Sequence, residues 1–349
     1  MSSVRVHFVG RSLGDGYDMI RFLVFSDLHI SDGPPSQRDD SYFEDILAKV
    51  RELGKVACGL CVDATIIAGD LFHRKNPQHI SHKLVQRFGA VLSDFGGPVL
   101  AVPGNHDYTG NIEALHRSPY GVLREFDAIH DLSTWPKSFA DGQGVDAKTF
   151  VHVTGAAYEP GEPAAMYALP KIDGGIEALS VHVCHGMLMP TRKTRPFEFT
   201  PIADIEDQAA RITVVGHYHP GWGVEKRGGR IFYAPGSVAR ISTHEHDITR
   251  APKYGILSVD RVDGKWKAGI KEREVPGVRP ADAVFSLDAV TAKATREKEL
   301  VQFEESLSPT SLETVAVDVQ DAARALADEN DLDGSVLAEM LSLLAEAED

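Results

Sequence analysis

The chain has 349 residues, 43% of them hydrophobic and 25% charged, with a formal net charge of −15. Those shares are those of an ordinary globular protein rather than a disordered or fibrous one, and the chain is long enough for one large domain with an appendage, or for two domains. No apolar run approaches the ~20 residues that cross a bilayer, and the N-terminus lacks the charged, apolar and small-residue regions of a signal peptide, so no membrane contact and a cytoplasmic location are expected. The charge is uneven: from Glu304 to Asp349 there are 13 acidic residues and one basic, a net of −12 that leaves −3 for residues 1–303. The global charge argues against nucleic acid, but the body is close to neutral, so its local patches decide the question.

Residues 1–18 either add an edge strand ("VRVHFVG") or lie upstream of a native start at Met19. "IRFLVFSD" (20–27) predicts a buried strand, residues 41–57 an amphipathic helix, and 64–68 a second strand. Cys58 and Cys61 form a C-x-x-C between that helix and that strand. No second pair completes a zinc site, so packing at the helix end is expected of them. A helix follows from Pro77 to about Phe95, with Asn76 as N-cap and Pro77 in the first turn, then the strand "PVLAVPG" (98–104). Residues 131–148 predict a long loop, and further strands fall at 150–156, 179–185, 211–216, 230–234 and 254–259. Short apolar runs bounded by Gly, Pro or Asp, alternating with helices, make this an α/β protein.

The polar residues where these strands finish form a set. Asp27 and His29 follow the first strand, Asp70 the second, and Asn105, His106 and Asp107 the third. His185 ends "LSVHVCH", and His217 and His219 end "TVVGHYH". The carboxyl ends of strands are where α/β sheets build sites. Imidazole, carboxylate and amide oxygen together suit Mn²⁺, Fe or Zn²⁺ at five or six coordination. Seven such ligands exceed the needs of one ion. Two ions sharing a bridging carboxylate would use them all and would clamp the attacking and leaving oxygens of a phosphoester displacement. A lone D-x-H or G-H-x-H arises by chance; all five motifs in order, each at a predicted strand end, do not.

The series "DLH … GD … GNHD … H … GHYH" resembles the calcineurin-like metallophosphoesterase superfamily over roughly residues 20–272. The resemblance implies a four-layer αββα sandwich, and the apolar pattern after Ser308 adds a short C-terminal helical appendage. The resemblance also implies that Asp27, His29 and His219 hold one metal, that Asn105, His185 and His217 hold the other, and that Asp70 bridges them. His106 would act on the phosphate as general acid or transition-state stabiliser, oriented by Asp107; an imidazole near neutral pKa can protonate a departing alkoxide.

Within the superfamily "GDLFHRKNP" (69–77) resembles the second motif of SbcD-type DNA repair nucleases, as do "YAPGSVARIS" (233–242) and "EREVPGVRP" (272–280). This implies an exo/endonuclease, with manganese as the expected metal, in which His73 helps place a DNA end. Arg74 and Lys75 follow His73, and Arg192, Lys193 and Arg195 with Phe197 border the site in "PTRKTRPF". These cations either grip phosphates while the ring stacks a base, or form a solvated loop. "THEHD" (243–247) reads as a surface loop, and an EF-hand near "ENDLDG" (329–334) fails because its twelfth position is Met340.

The chain is expected to divide into an extension (1–18), a catalytic domain (19–275), a linker or reduced cap (276–307) and an acidic helix–loop–helix (308–349). Apolar residues at Leu312, Val315, Val319, Ala322 and Leu326, and again from Val336 to Leu344, mark two helical faces in that tail. The tail either docks on the coiled coil of an SbcC-like ATPase, as the resemblance implies, or packs on the protein's own core, or stays disordered. A homodimer is left open. The competing functions are a small-molecule or phosphoprotein phosphoesterase on the same site, and a non-catalytic scaffold.

Overall fold

The computed structural model describes residues 19–35, 38, 41–74, 80–109, 112–140, 150–161, 163–170, 178–193, 197–263, 265–285 and 295–296. It begins with β1 (Ile20–Phe25), α1 (Tyr42–Gly59), β2 (Ala64–Ile67), α2 (His82–Ser93), β3 (Val99–Ala101), α3 (Pro119–Glu125) and β4 (His130–Asp131). There follow β5 (Lys137–Ala140), β6 (Phe150–Ala156), β7 (Ala178–His185), β8 (Leu188–Met189), β9 (Thr200–Pro201) and α4 (Ile202–Ile205). The unit closes with β10 (Ile212–Gly216), β11 (Gly223–Arg227), β12 (Arg230–Ala234), α5 (Glu245–Thr249), β13 (Lys253–Val262) and β14 (Lys265–Glu274).

Two six-stranded sheets result, in the orders β14-β13-β1-β2-β3-β4 and β11-β12-β10-β7-β6-β5. Strands β1 to β4 are parallel, as are β12, β10, β7 and β6, while antiparallel strands flank each set. Side chains on a strand alternate between faces, and the buried residues divide accordingly. Phe22 and Val24 of β1 meet Val181, Val183 and Val214 between the sheets, whereas Leu23 and Phe25 pack with Ile46, Leu53 and Phe88 of the helices. The outer face of the second sheet carries a thinner layer, with Cys184, Val215 and Phe232 under Tyr167, Ile202 and Ile205. The expected four layers are present, the fourth built from single helical turns.

Three expectations are corrected. Helix α2 starts at His82, because Ser81 caps it by accepting the Leu84 N–H at 3.1 Å; Asn76 and Pro77 lie outside the described residues. The predicted loop 131–148 contains β5, which pairs antiparallel with β6. The antiparallel edge β14 was not foreseen at all.

The chain divides into two compact units, residues 1–283 and 284–349. The tail 308–349 and the extension 1–18 lie outside the described residues. Among the described residues, no helix is long and apolar enough to cross a membrane. Cys58 and Cys61 are free and exposed, Cys58 donating to the Asp94 carbonyl at 3.3 Å.

Candidate metal centre

The parallel strands of both sheets deliver their carboxyl ends to one edge, where the sheets are tied together. Ser26 after β1 bridges Ser237 after β12, the Ser237 hydroxyl donates to the Asp27 carbonyl at 2.8 Å, and Ala239 N–H donates to the same carbonyl at 3.2 Å. Gly216 lies at this seam, where an added Cβ would fall 1.9 Å from the Ala68 carbonyl oxygen. No side chain fits there.

Among the described residues, ligand atoms converge in three groups: two share Asp70 (Asp27, His29, Asp70 and His219, and then Asp70, His185 and His217), and a third joins His29, His73 and His106. Asp70 Oδ2 stands 3.5 Å from His29 Nε2 and 3.4 Å from His185 Nε2, and no well-formed hydrogen bond reaches it among the described residues. Its other oxygen accepts the His106 N–H at 2.8 Å. This buried carboxylate oxygen lies between two imidazole nitrogens at a distance long for a good hydrogen bond, so the cluster is fit for metal binding. His29 Nε2 and His219 Nε2 are 2.9 Å apart; two nitrogens bound at right angles to one ion at ~2.1 Å would be about 3.0 Å apart. Asn105 Oδ1 lies 3.2 Å from His185 Nε2, and His185 Nδ1 bonds the Ala68 carbonyl at 2.8 Å, which turns Nε2 toward Asp70.

Negative charge at the site is concentrated on Asp70. Burial opposes charge on Asp70, but His185 and His29 outweigh it and hold its carboxyl well below the usual range. Burial also opposes charge on His185, yet Asp70 and Asp27 keep its proton up to about 10. His29 is pushed well down by burial, and His217 down to about 3 by burial and by His185, leaving neutral imidazoles able to ligate. The backbone is strained at the same place. Of seven described non-glycine residues in the left-handed region, four are Asp27 (φ 55°), His29 (46°), Asp70 (51°) and His217 (95°). Such strain persists where the surrounding structure over-determines it, and it clusters at functional sites.

His73 and His106 join the rim. Their rings stack at 5.7 Å, and His29 lies 5.5 Å from the first and 5.0 Å from the second. His106 Nδ1 bonds the His73 carbonyl at 2.8 Å. This corrects the role given to Asp107, whose buried carboxylate accepts instead from Phe72 N–H at 3.0 Å and Gly104 N–H at 2.8 Å. Asp107 braces the two loops, and the His73 backbone orients His106. Burial and the charge of Asp70 push Asp107 up to about 8.

The chain from residue 20 to 250 matches the model of the calcineurin-like phosphoesterase family. It belongs to that family. Members hydrolyse phosphoesters with two divalent metal ions, and the shared Asp70 and its imidazoles are donors fit for that task. The chain is similar to a DNA double-strand break repair protein Mre11 from Sulfurisphaera tokodaii, 26% identical over 215 residues, which are 60% of this chain and 53% of that one. It thus spans about half the length of that relative. Among solved structures it is similar to the calcineurin-like phosphoesterase YfkN from Bacillus subtilis (TM-score 0.45, 12% identity, 77% of this chain and 95% of that one). It is also similar to a dimetal phosphatase from Danio rerio (TM-score 0.44, 14% identity, 73% of this chain and 99% of that one).

The basic residues are less gathered than the ligands. Arg74 and Lys193 are exposed, Arg192 is exposed and paired with Asp204, and Lys75 and Arg195 lie outside the described residues. The "THEHD" stretch is more than surface: Asp247 is fully buried and accepts from Ile241 N–H, Ser242 N–H and Arg250. Sequence reasoning missed Tyr158, whose ring lies 5.7 Å from His217 and 6.4 Å from His185. It follows β6 by two residues, the position where the other strands place their ligands, but a tyrosine carries no metal signature.

Proposed function

We propose that this phosphoesterase is a DNA nuclease of the SbcD type, cutting phosphodiesters in DNA end processing. The observation that carries the reading is His73. It stands outside the two groups around Asp70 and joins a third with His29 and His106, at the rim. A small ester has no need of it there, whereas a polymer does, because binding away from the reacting bond positions a long substrate. The similarity to the Sulfurisphaera tokodaii repair protein supports the same reading.

Two divalent ions, with Mn²⁺ best suited to this imidazole, carboxylate and amide set, would supply positive charge for phosphoester displacement. Asp27, His29 and His219 would hold one and Asn105, His185 and His217 the other, with Asp70 between them. His106, whose Nδ1 bonds the His73 carbonyl, keeps Nε2 for the substrate and in its protonated form would give a proton to the departing 3′-oxygen. An SbcC-like coiled-coil ATPase as partner of the tail belongs to the same proposal and rests on the SbcD resemblance and the apolar pattern of residues 308–349.

One observation favours a smaller phosphoester instead: Asp204 already occupies the guanidinium of Arg192. His73→Ala separates the two readings. With Mn²⁺ present, its rate on duplex ends should fall at least about tenfold relative to its rate on bis-p-nitrophenyl phosphate. Equal losses on both substrates count against the nuclease.

A further inference from the structure

An aromatic group is joined through the chain to the metal centre and stands outside the protein's described cores. Phe197 and Phe199 lie between β8 and β9, and Tyr218 stands in the chain between His217 and His219. The Phe197 ring is 6.3 Å from Phe199 and 6.1 Å from Tyr218. All three residues are half-buried, and none belongs to the three cores or to the partly buried residues packed on them. Folding gains less from half-wet rings outside the described cores than from fully buried ones.

Their setting is nevertheless fixed. Consecutive Cα atoms are about 3.8 Å apart, so Tyr218 places the group within one residue of two metal-site imidazoles. The segment carrying the phenylalanines is tied at both ends: Trp222 Nε1 donates to the Leu188 carbonyl at 2.9 Å, Arg227 to the Pro190 carbonyl at 2.6 Å, and Thr200 N–H to the Met187 carbonyl at 2.9 Å. Exposed Arg192 and Lys193 lie on the same segment.

We propose that Phe197, Phe199 and Tyr218 seat one unstacked nucleobase beside the phosphate to be cut. The inference rests on the nuclease reading and names what that site must grip. Every base has a π face, so an aromatic platform holds any base without reading its sequence. A base inside a duplex is already stacked on its neighbours, and it reaches a protein ring only where it has left them, at least cost in single strands and frayed ends. Held on an anchored segment next to His217 and His219, such a base places its own phosphate at the shared carboxylate. The rings therefore select unpaired DNA.

The test compares full-length proteins, with Mn²⁺, on a thymidine oligonucleotide, on an abasic oligomer of equal length, and on bis-p-nitrophenyl phosphate. The parent should cut the base-bearing oligomer about tenfold faster than the abasic one. Phe197→Ala should bring that ratio close to one, and Phe197→Tyr should keep it. Misfolding lowers both rates together and cannot change the ratio. Equal parental rates on the two oligomers, or a ratio that survives in Phe197→Ala, overturn the base seat and leave the nuclease standing. A parent that hydrolyses the small diester but neither oligomer removes both readings.

Discussion

Gly104 lies so close to Asp70 that its single hydrogen is part of the site. A Cβ there would sit 2.2 Å from Asp70 Oδ1 and 2.5 Å from the Asp70 nitrogen. The carboxylate would have to leave its place between His29 and His185. A shift of about 1 Å in a catalytic group costs on the order of 100-fold in rate, so Gly104→Ala should lower kcat on a small phosphodiester about that much, with less metal retained by elemental analysis. An unchanged kcat would show that Asp70 is not held as described. Lys49 gives a separate test, away from the ligands. It is 1% exposed, 2.8 Å from Asp45 Oδ2, and burial drives its pKa down to about 8 while Asp45 opposes the fall. An unfolded lysine titrates near 10.4. Between the two values the unfolded chain binds a proton that the folded chain has lost, so this group makes stability rise with pH across that window and leaves it unchanged below it. Thermal melts at pH 7, 8.5 and 10 should show the parent gaining on Lys49→Met only above pH 8. Parallel curves contradict the assignment.

The start of α2 shows what local sequence can and cannot tell. Asn76-Pro77 has the form of a cap and a first-turn proline, yet the helix waits for Ser81. That serine is itself held by Asp32, which accepts its N–H at 2.6 Å and its hydroxyl at 2.5 Å. That cap is held by a contact 49 residues away in the chain. Ser81→Ala should cost about 1 kcal/mol and lower Tm by roughly 2–4 °C; a Tm unchanged within one degree would mean the cap is idle. The buried parallel strands were legible because both their faces are covered, so they read as continuous apolar runs. The strand β14 was not. As a sheet edge it sets Lys265, Lys267, Lys271 and Arg273 out in water, with Trp266 and Ile270 half-buried behind them, and cations on an edge hide a strand from a search for apolar runs. The ligands were legible through their types and their places at strand ends. Asp107 was not, since adjacency to His106 in the chain does not say whose hydrogen bonds its carboxylate takes.

Two sheets face each other, and the same edge of each ends in acid, amide and imidazole. Neither sheet alone completes the site: the first brings Asp27, His29, Asp70 and Asn105, the second His185, His217 and His219. Their meeting depends on the seam of Ser26, Gly216 and Ser237, and the left-handed backbone at four ligand positions is the local cost of turning those side chains inward. The organisation predicts two ions per chain sharing one carboxylate, with hydrolysis dependent on both. The most direct measurement is metal content by elemental analysis after saturation with Mn²⁺ and removal of excess, made beside the rate on bis-p-nitrophenyl phosphate, for the parent and for Asp70→Asn. The parent should hold two ions, and the variant should lose metal and at least about 100-fold in rate. A variant that keeps two ions and the parental rate, or a parent fully active after chelation, would contradict the shared metal centre.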